Sequence, residues 1–277
     1  MMRYIKLVNF EINRFSKIYL SLLLITLVSQ FAGVFMVTKD YLDGAKKTMS
    51  EEKLSEAAFV TNYGGIDFTY IANSLWFQGP IALSAVALIF YIFLIWYRDW
   101  FGKNTFIYRL LMLPTSRLSI YLSKATAIFL MVLGLIAFQI IILPMENGLF
   151  NSNVPEAFLN MEMSTSTIAA ANMVLMLIIP STFTQFLLSY GIGLMIMSIL
   201  FTAIMFERSF RIKGIILGLI YCGISAVVFL APFFVMEIGN FYFYPNELFG
   251  LQLALGIILT GLSVWLGAWL LKKRVTV

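Results

Sequence analysis

The 277-residue chain contains no histidine at all. That absence removes the usual general base near neutral pH, the commonest zinc ligand and every catalytic triad built on an imidazole. It holds one cysteine, Cys222, inside an apolar run, so no intrachain disulfide and no cysteine metal cluster is available to the fold. Charge is scarce too, since Asp, Glu, Lys and Arg make up 12% of residues against 61% hydrophobic ones. With a mean hydropathy of +0.90, too little polar surface remains to cover a water-soluble globule. The chain also lacks a G-x-x-x-x-G-K-[ST] phosphate loop: Gly102-Lys103 has neither the earlier glycine nor a Ser or Thr after the lysine.

What is present is a series of apolar runs near the length of about 20 residues that crosses a bilayer as a helix. They are read as spans over 19–37, 80–97, 121–143, 184–205, 214–236 and 249–271, one transmembrane domain over 1–277. The first run is longer than a signal-peptide core and no cleavage pattern follows it, so it is expected to be retained. Ile168 to Phe206 is apolar throughout, about twice what one span needs. Pro180 divides it into an interfacial or re-entrant helix before the proline and a span after it. Residues 38–75 are too polar for lipid and are expected to form the largest exposed loop.

Orientation follows from the basic residues. Of the nineteen Lys and Arg, fifteen fall in the N-terminal tail, in 98–124, in 207–213 and in 272–274, all on one side of a six-span layout. The other four, Lys39, Lys46, Lys47 and Lys53, lie in the long first loop. The bias of positive charge places both termini in the cytoplasm and requires an even number of spans. Eleven of fourteen acidic residues partition to the opposite side, where they solvate the loops or attract a cationic compound. The net charge of +5 lies beside the spans, which suits anionic lipid and not nucleic acid.

Two segments suggest function. In residues 1–17, Tyr4, Ile5, Val8, Ile12 and Phe15 share one helical face, opposite Arg3, Lys6, Asn9, Asn13 and Lys17. This pattern predicts an amphipathic helix along the membrane surface. Between the second and third spans, Asn104 to Leu113 predicts a short helix with Phe106, Leu110 and Leu113 along one side. Gly102 precedes that helix and Pro114 stops it. Such an apolar ridge either rests on lipid or docks into the groove of a partner.

Within the spans, polar residues such as Gln30, Gln139, Gln185, Thr202, Ser225 and Thr260 are neutral, with charge only at the ends, at Asp99, Glu146 and Glu237. This argues against a transporter driven by protons through a midplane carboxylate. Gly214-x-x-x-Gly218, with Gly191, Gly193, Gly256 and Gly261, is expected to let helices pack closely. The many Met and Phe residues fill core and lipid-facing positions, and would also suit a greasy substrate.

Six spans, an amphipathic N-terminal helix, and the pattern Gly102, Thr105, Leu110 to Leu113, Pro114, Arg117, Ser123 and Lys124 resemble the ABC-2 type permeases of bacterial ABC exporters. The resemblance implies an all-α integral membrane fold and a bacterial plasma-membrane location, and it makes the loop helix a cytoplasmic coupling helix. That helix would contact a separate ATP-binding subunit, where ATP and Mg would be bound, through Gly102, Thr105, Phe106, Tyr108, Arg109, Leu110, Leu113, Pro114 and Arg117. It further implies a second permease, identical or a paired homologue, no catalytic or metal site in this chain, and export of an amphipathic or hydrophobic compound such as a peptide, lipid or antibiotic. One departure stands out: residues 237–248 are too few for the re-entrant hairpin that members often carry between their last two spans. The alternative is a non-transporting sensor, immunity or assembly factor that binds a cytoplasmic regulator through the same short helix.

Overall fold

The computed structural model describes residues 2–101, 106–112, 115–160, 163–239 and 242–274. In chain order its helices are α1 (Met2–Glu52), α2 (Glu56–Tyr63), α3 (Phe68–Ala72), α4 (Leu75–Trp100), α5 (Phe106–Leu111), α6 (Arg117–Asn153), α7 (Thr165–Ala171), α8 (Met173–Ile178), α9 (Phe183–Phe210), α10 (Ile212–Gly239) and α11 (Pro245–Lys273). A 3-10 turn spans Glu156–Phe158, and a lone parallel bridge joins Ile66 to Leu159. No β-strand occurs among the described residues. Six helices, α1, α4, α6, α9, α10 and α11, are long and apolar enough to cross a bilayer, and each contains one expected span. The chain is an all-helical, multi-pass membrane protein.

Two expectations are corrected at the ends of α1. Residues 2–17 are not a separate helix, and residues 38–52 are not loop; both belong to one uninterrupted helix of 51 residues. The sequence supplies no breaker, because the first proline of the chain is Pro80. The polar stretch after Lys39 is rich in Lys, Asp and Glu, and Lys47 and Glu51 face each other one turn apart at 4.0 Å. The helix stops at Lys53, whose φ of +53° leaves the helical region. Ser55 then caps α2 and Asp67 caps α3, each accepting a hydrogen bond from a first-turn N–H.

Pro180 does divide the long apolar run, but two short helices precede it. Asn172 adopts an extended conformation after α7, and its Oδ1 accepts from the N–H groups of Val174 and Leu175 at 3.0 Å, which starts α8 afresh. Helix α9 begins only at Phe183, and no seventh helix of spanning length occurs among the described residues.

The chain forms two compact units, to both of which α1, α4 and α6 contribute. One comprises Phe15–Ala87 and Met131–Thr182. Its core gathers Val34, Phe59, Phe68, Phe77, Leu143 and Phe150. The Phe68 ring meets Phe77 and Phe150 edge-on at 6.1 and 5.9 Å. Gln30 donates to the Phe77 carbonyl and to Gln139 Oε1, both at 3.2 Å, so the two glutamines bond between helices as expected.

The other unit comprises Met1–Arg14, Leu88–Leu130 and Phe183–Val277. Here α9 and α10 are joined by Arg211 alone, at φ +54°. Gly214 and Gly218 do the packing the G-x-x-x-G pattern suggests. A Cβ on Gly214 would strike the Phe206 carbonyl, and one on Gly218 would sit 3.0 Å from the Ala203 oxygen. By contrast Gly191, Gly193 and Gly261 have no atom near the place of a Cβ, so the expectation of close packing fails there. Tyr121 donates to the Ser198 carbonyl at 2.9 Å, and Thr202 to the Ser263 carbonyl at 2.7 Å, which fastens α6 to α9 and α9 to α11. A side chain on Gly267 would come within 2.6 Å of the Tyr121 ring.

Candidate functional site

Three helices of this second unit bring charge into its interior. On α4, Tyr91, Ile95 and Asp99 recur every four residues and form one buried stripe. On α6 the buried face runs through Ile120, Tyr121, Lys124 and Ile128, and on α1 it includes Leu7 and Glu11. Asp99 and Lys124 are wholly buried and Glu11 is 2% exposed. A lone buried charge is costly, and these three are tolerated because each is paired with charge of the opposite sign.

Lys124 is the centre. Its ammonium has three protons, and each finds an oxygen: Glu11 Oε1 at 2.7 Å, Asp99 Oδ2 at 2.5 Å and the Ile95 carbonyl at 2.9 Å. Trp96 lies beside the ammonium, 5.2 Å from nitrogen to ring centre. The remaining carboxylate oxygens are taken by arginines. Arg14 donates to Asp99 Oδ1 at 2.6 Å and lies 3.8 Å from Glu11 Oε2, while Arg98 donates to Glu11 Oε2 at 3.3 Å. Tyr91 closes the set by donating to the Glu11 carbonyl at 3.3 Å. Two carboxylates therefore face three cations, a tight cluster with one positive charge in excess.

This arrangement corrects the sequence reading of charge. Lys124, counted there among the basic residues of 98–124, and Glu11 of the N-terminal tail are interior. Lys124 lies two turns inside α6, and its neighbours at Ile120 and Ile128 mark it as a cation on an apolar helical face. Sequence reasoning missed the cluster because the three residues that meet in it are widely separated in the chain and on different helices.

Helix α5 is attached to the cluster through an arginine. The Phe106 ring stacks on Phe10 at 5.5 Å, and the Arg14 guanidinium lies 5.0 Å from the first ring and 5.1 Å from the second. The same arginine binds Asp99. Leu110 is buried against Leu7 and Ile120, with Phe106 packed on that group. The described part of the apolar ridge thus turns inward, onto α1 and α6, and is not presented to solvent. Among the described side chains of α5 and its end, Arg109 and Met112 are exposed, the latter 72% accessible. Arg117 has a different place: its guanidinium donates to the carbonyls of Leu271 and Lys272 and so caps the C-terminal end of α11. Gly102, Thr105, Leu113 and Pro114, and the side chain of Tyr108, lie outside the described residues.

A second feature of this unit is an apolar recess of about 240 Å³ among α9, α10 and α11. Leu187, Gly191, Phe229, Gln252, Gly256 and Thr260 line it. Gly191, whose Cβ position is empty, helps to open it.

Comparison with protein-family models, with curated proteins and with solved structures finds no match to this chain. The structural class is defined by the fold alone: a membrane protein with six helices of spanning length and an ion cluster buried among three of them.

Proposed function

We propose that this chain is the membrane-spanning permease subunit of an ATP-driven exporter of the ABC-2 type. The observation that carries the reading is the linkage at α5: a short helix outside the six long ones, whose Phe106 grips the arginine that binds Asp99. A force applied to α5 would be transmitted to α1, α4 and α6 through rigid, charge-assisted bonds. A cytoplasmic ATP-binding subunit, carrying ATP and Mg, would grip the exposed side of α5 at Arg109 and Met112, while Phe106 and Leu110 hold the helix to its own chain. ATP-driven closure of that partner would then bias the spanning helices between two states. A second permease, identical or homologous, completes the assembly in this reading. The apolar recess among α9, α10 and α11 suits a hydrophobic or amphipathic compound. Both termini and α5 lie on the cytoplasmic side of a bacterial plasma membrane, in keeping with the distribution of Lys and Arg.

The test is co-purification from the native membrane in mild detergent, comparing wild type with an Arg109→Glu, Met112→Asp double variant, followed by mass spectrometry and an ATPase assay. Neither substitution disturbs the buried contacts of α5. Recovery of an ATP-binding subunit with wild type, and its loss with the variant at equal yield of folded chain, is expected. Folded wild type recovered without any ATPase would overturn the exporter reading in favour of a sensor, immunity or assembly factor.

A further inference from the structure

A second buried carboxyl lies in the unit formed by Phe15–Ala87 and Met131–Thr182, and it is the opposite of the paired ones. Glu146 sits on α6 between Leu143 and Phe150, three and four residues away and therefore on the same helical face. Both neighbours are core residues of that unit, and Glu146 itself is 0% exposed. Neither of its oxygens has a hydrogen-bond donor, and neither is reachable by water.

Among the described residues, no charge faces it from the elements that pack on this core. The charged residues of α1 from Lys39 to Glu52 are all exposed, as are Glu56 of α2 and Glu156 of the 3-10 turn. Asp67 is engaged with Thr69, and Tyr41 donates to the Gly64 carbonyl. The part of α4 in this unit, α7 and α8 carry no charged residue.

An ionised carboxylate in such a place would have lost its water and gained nothing, whereas the protonated acid avoids most of that cost. A metal ion, an ammonium group or a water molecule needs room and further oxygen or nitrogen partners, and the sealed oxygens offer neither. The ligand that requires no volume is a proton. We propose that Glu146 is a proton-binding site: a neutral carboxylic acid while this unit is closed, which releases its proton when the unit opens and water reaches it. Opening of this face and loss of one proton are then a single event. The inference stands apart from the exporter reading, because it concerns a different unit and needs no partner.

The sign follows from linkage. A hydrated carboxyl gives up its proton above about pH 4.3, so at neutral pH the opened form is favoured by release while the closed form holds its proton. Closure weakens up to tenfold for each pH unit above that value, for as long as the closed form stays protonated.

The experiment is infrared spectroscopy of the full chain in lipid nanodiscs at pH 7, wild type against Glu146→Gln and Glu146→Leu. The carbonyl stretch of a protonated carboxylic acid is expected in wild type and is missing from both variants. Glutamine keeps the shape of the side chain and leucine suits the apolar core, so a folded control is available even if one variant is unstable. Loss of a carboxylate band from the variants, with no change in the acid region, would show that Glu146 is ionised and reached by water or a cation, and would overturn the proposal.

Discussion

Replacing Lys124 by methionine tests whether the ion cluster is held together as its distances imply. The substitution keeps the volume of the side chain, so the cost is electrostatic and not that of a cavity. Breaking a buried ion pair typically costs about 3–5 kcal/mol, because the surviving charge is stranded. Here both carboxylates keep a cation: Asp99 retains Arg14 at 2.6 Å, and Glu11 retains Arg98 at 3.3 Å. The cluster passes from one positive charge in excess to neutrality, so Lys124→Met belongs at the lower end, about 3 kcal/mol. Asp99→Asn does the reverse. It leaves three cations facing Glu11 alone and belongs at the upper end, about 5 kcal/mol. At roughly 2–4 °C per kcal/mol for a chain of this size, the apparent melting temperature in detergent falls by about 6–12 °C for Lys124→Met and further for Asp99→Asn. Intrinsic-fluorescence melts read both. Because the pairs are buried, the order of the two variants persists at high salt. A loss under about 2 °C for Lys124→Met, or a milder effect for Asp99→Asn than for Lys124→Met, would refute the account.

Phe106→Ala removes one of the two rings beside Arg14 and part of the packing on Leu110; about 1–3 kcal/mol of stability is lost, from the cation–π contact together with the buried area. Melts of the variant at matched detergent check this value. Gly267→Ala drives a methyl group into the Tyr121 ring and costs about 1–3 kcal/mol, and a smaller residue at 121, as in Tyr121→Leu, makes the alanine much less harmful in a double-mutant cycle. Arg211→Gly relieves a left-handed backbone at the α9–α10 turn and raises stability by about 1 kcal/mol, seen as a higher melting temperature. In a Cys222→Ala background, a cysteine at Ser50 reacts with an impermeant maleimide from the outside of intact cells, while one at Lys273 reacts only after lysis. Labelling of the cysteine at Lys273 from outside, with the one at Ser50 reacting only after lysis, would reverse the proposed orientation.

Hydropathy was sufficient for the six long helices, because burying backbone in lipid leaves a run of apolar residues that no tertiary contact needs to explain. The break at Pro180 was equally legible, since a missing N–H acts locally. The ends of α1 were not. Lys39, Asp40, Lys46 and Lys47 are polar enough to leave lipid, but polarity does not end a helix, and the chain has no proline there. The ion cluster was hidden for a different reason. A window of hydropathy puts Lys124 in the first turn of a span, and a charge count assigns it to a compartment; neither procedure represents the two acids that neutralise it. The inward turn of Leu110 was hidden likewise, as an apolar stripe on a short helix looks the same whether it meets its own chain or another. For Glu146 the sequence gives position, near the end of a span, but burial depends on how the neighbouring segments close over it.

The connection between α9 and α10 bears on how this protein can change length. Only Arg211 separates two helices of 28 residues, and the glycine three residues later lies against the Phe206 backbone. A connection this short has no slack for a protease to draw into its cleft, and an inserted residue would have to push apart the contact at Gly214. Affinity tags, fluorescent fusions and natural insertions are barred from this hairpin; they belong instead in the segment between α1 and α3, where α2 ends in an exposed Tyr63 and a glycine turn.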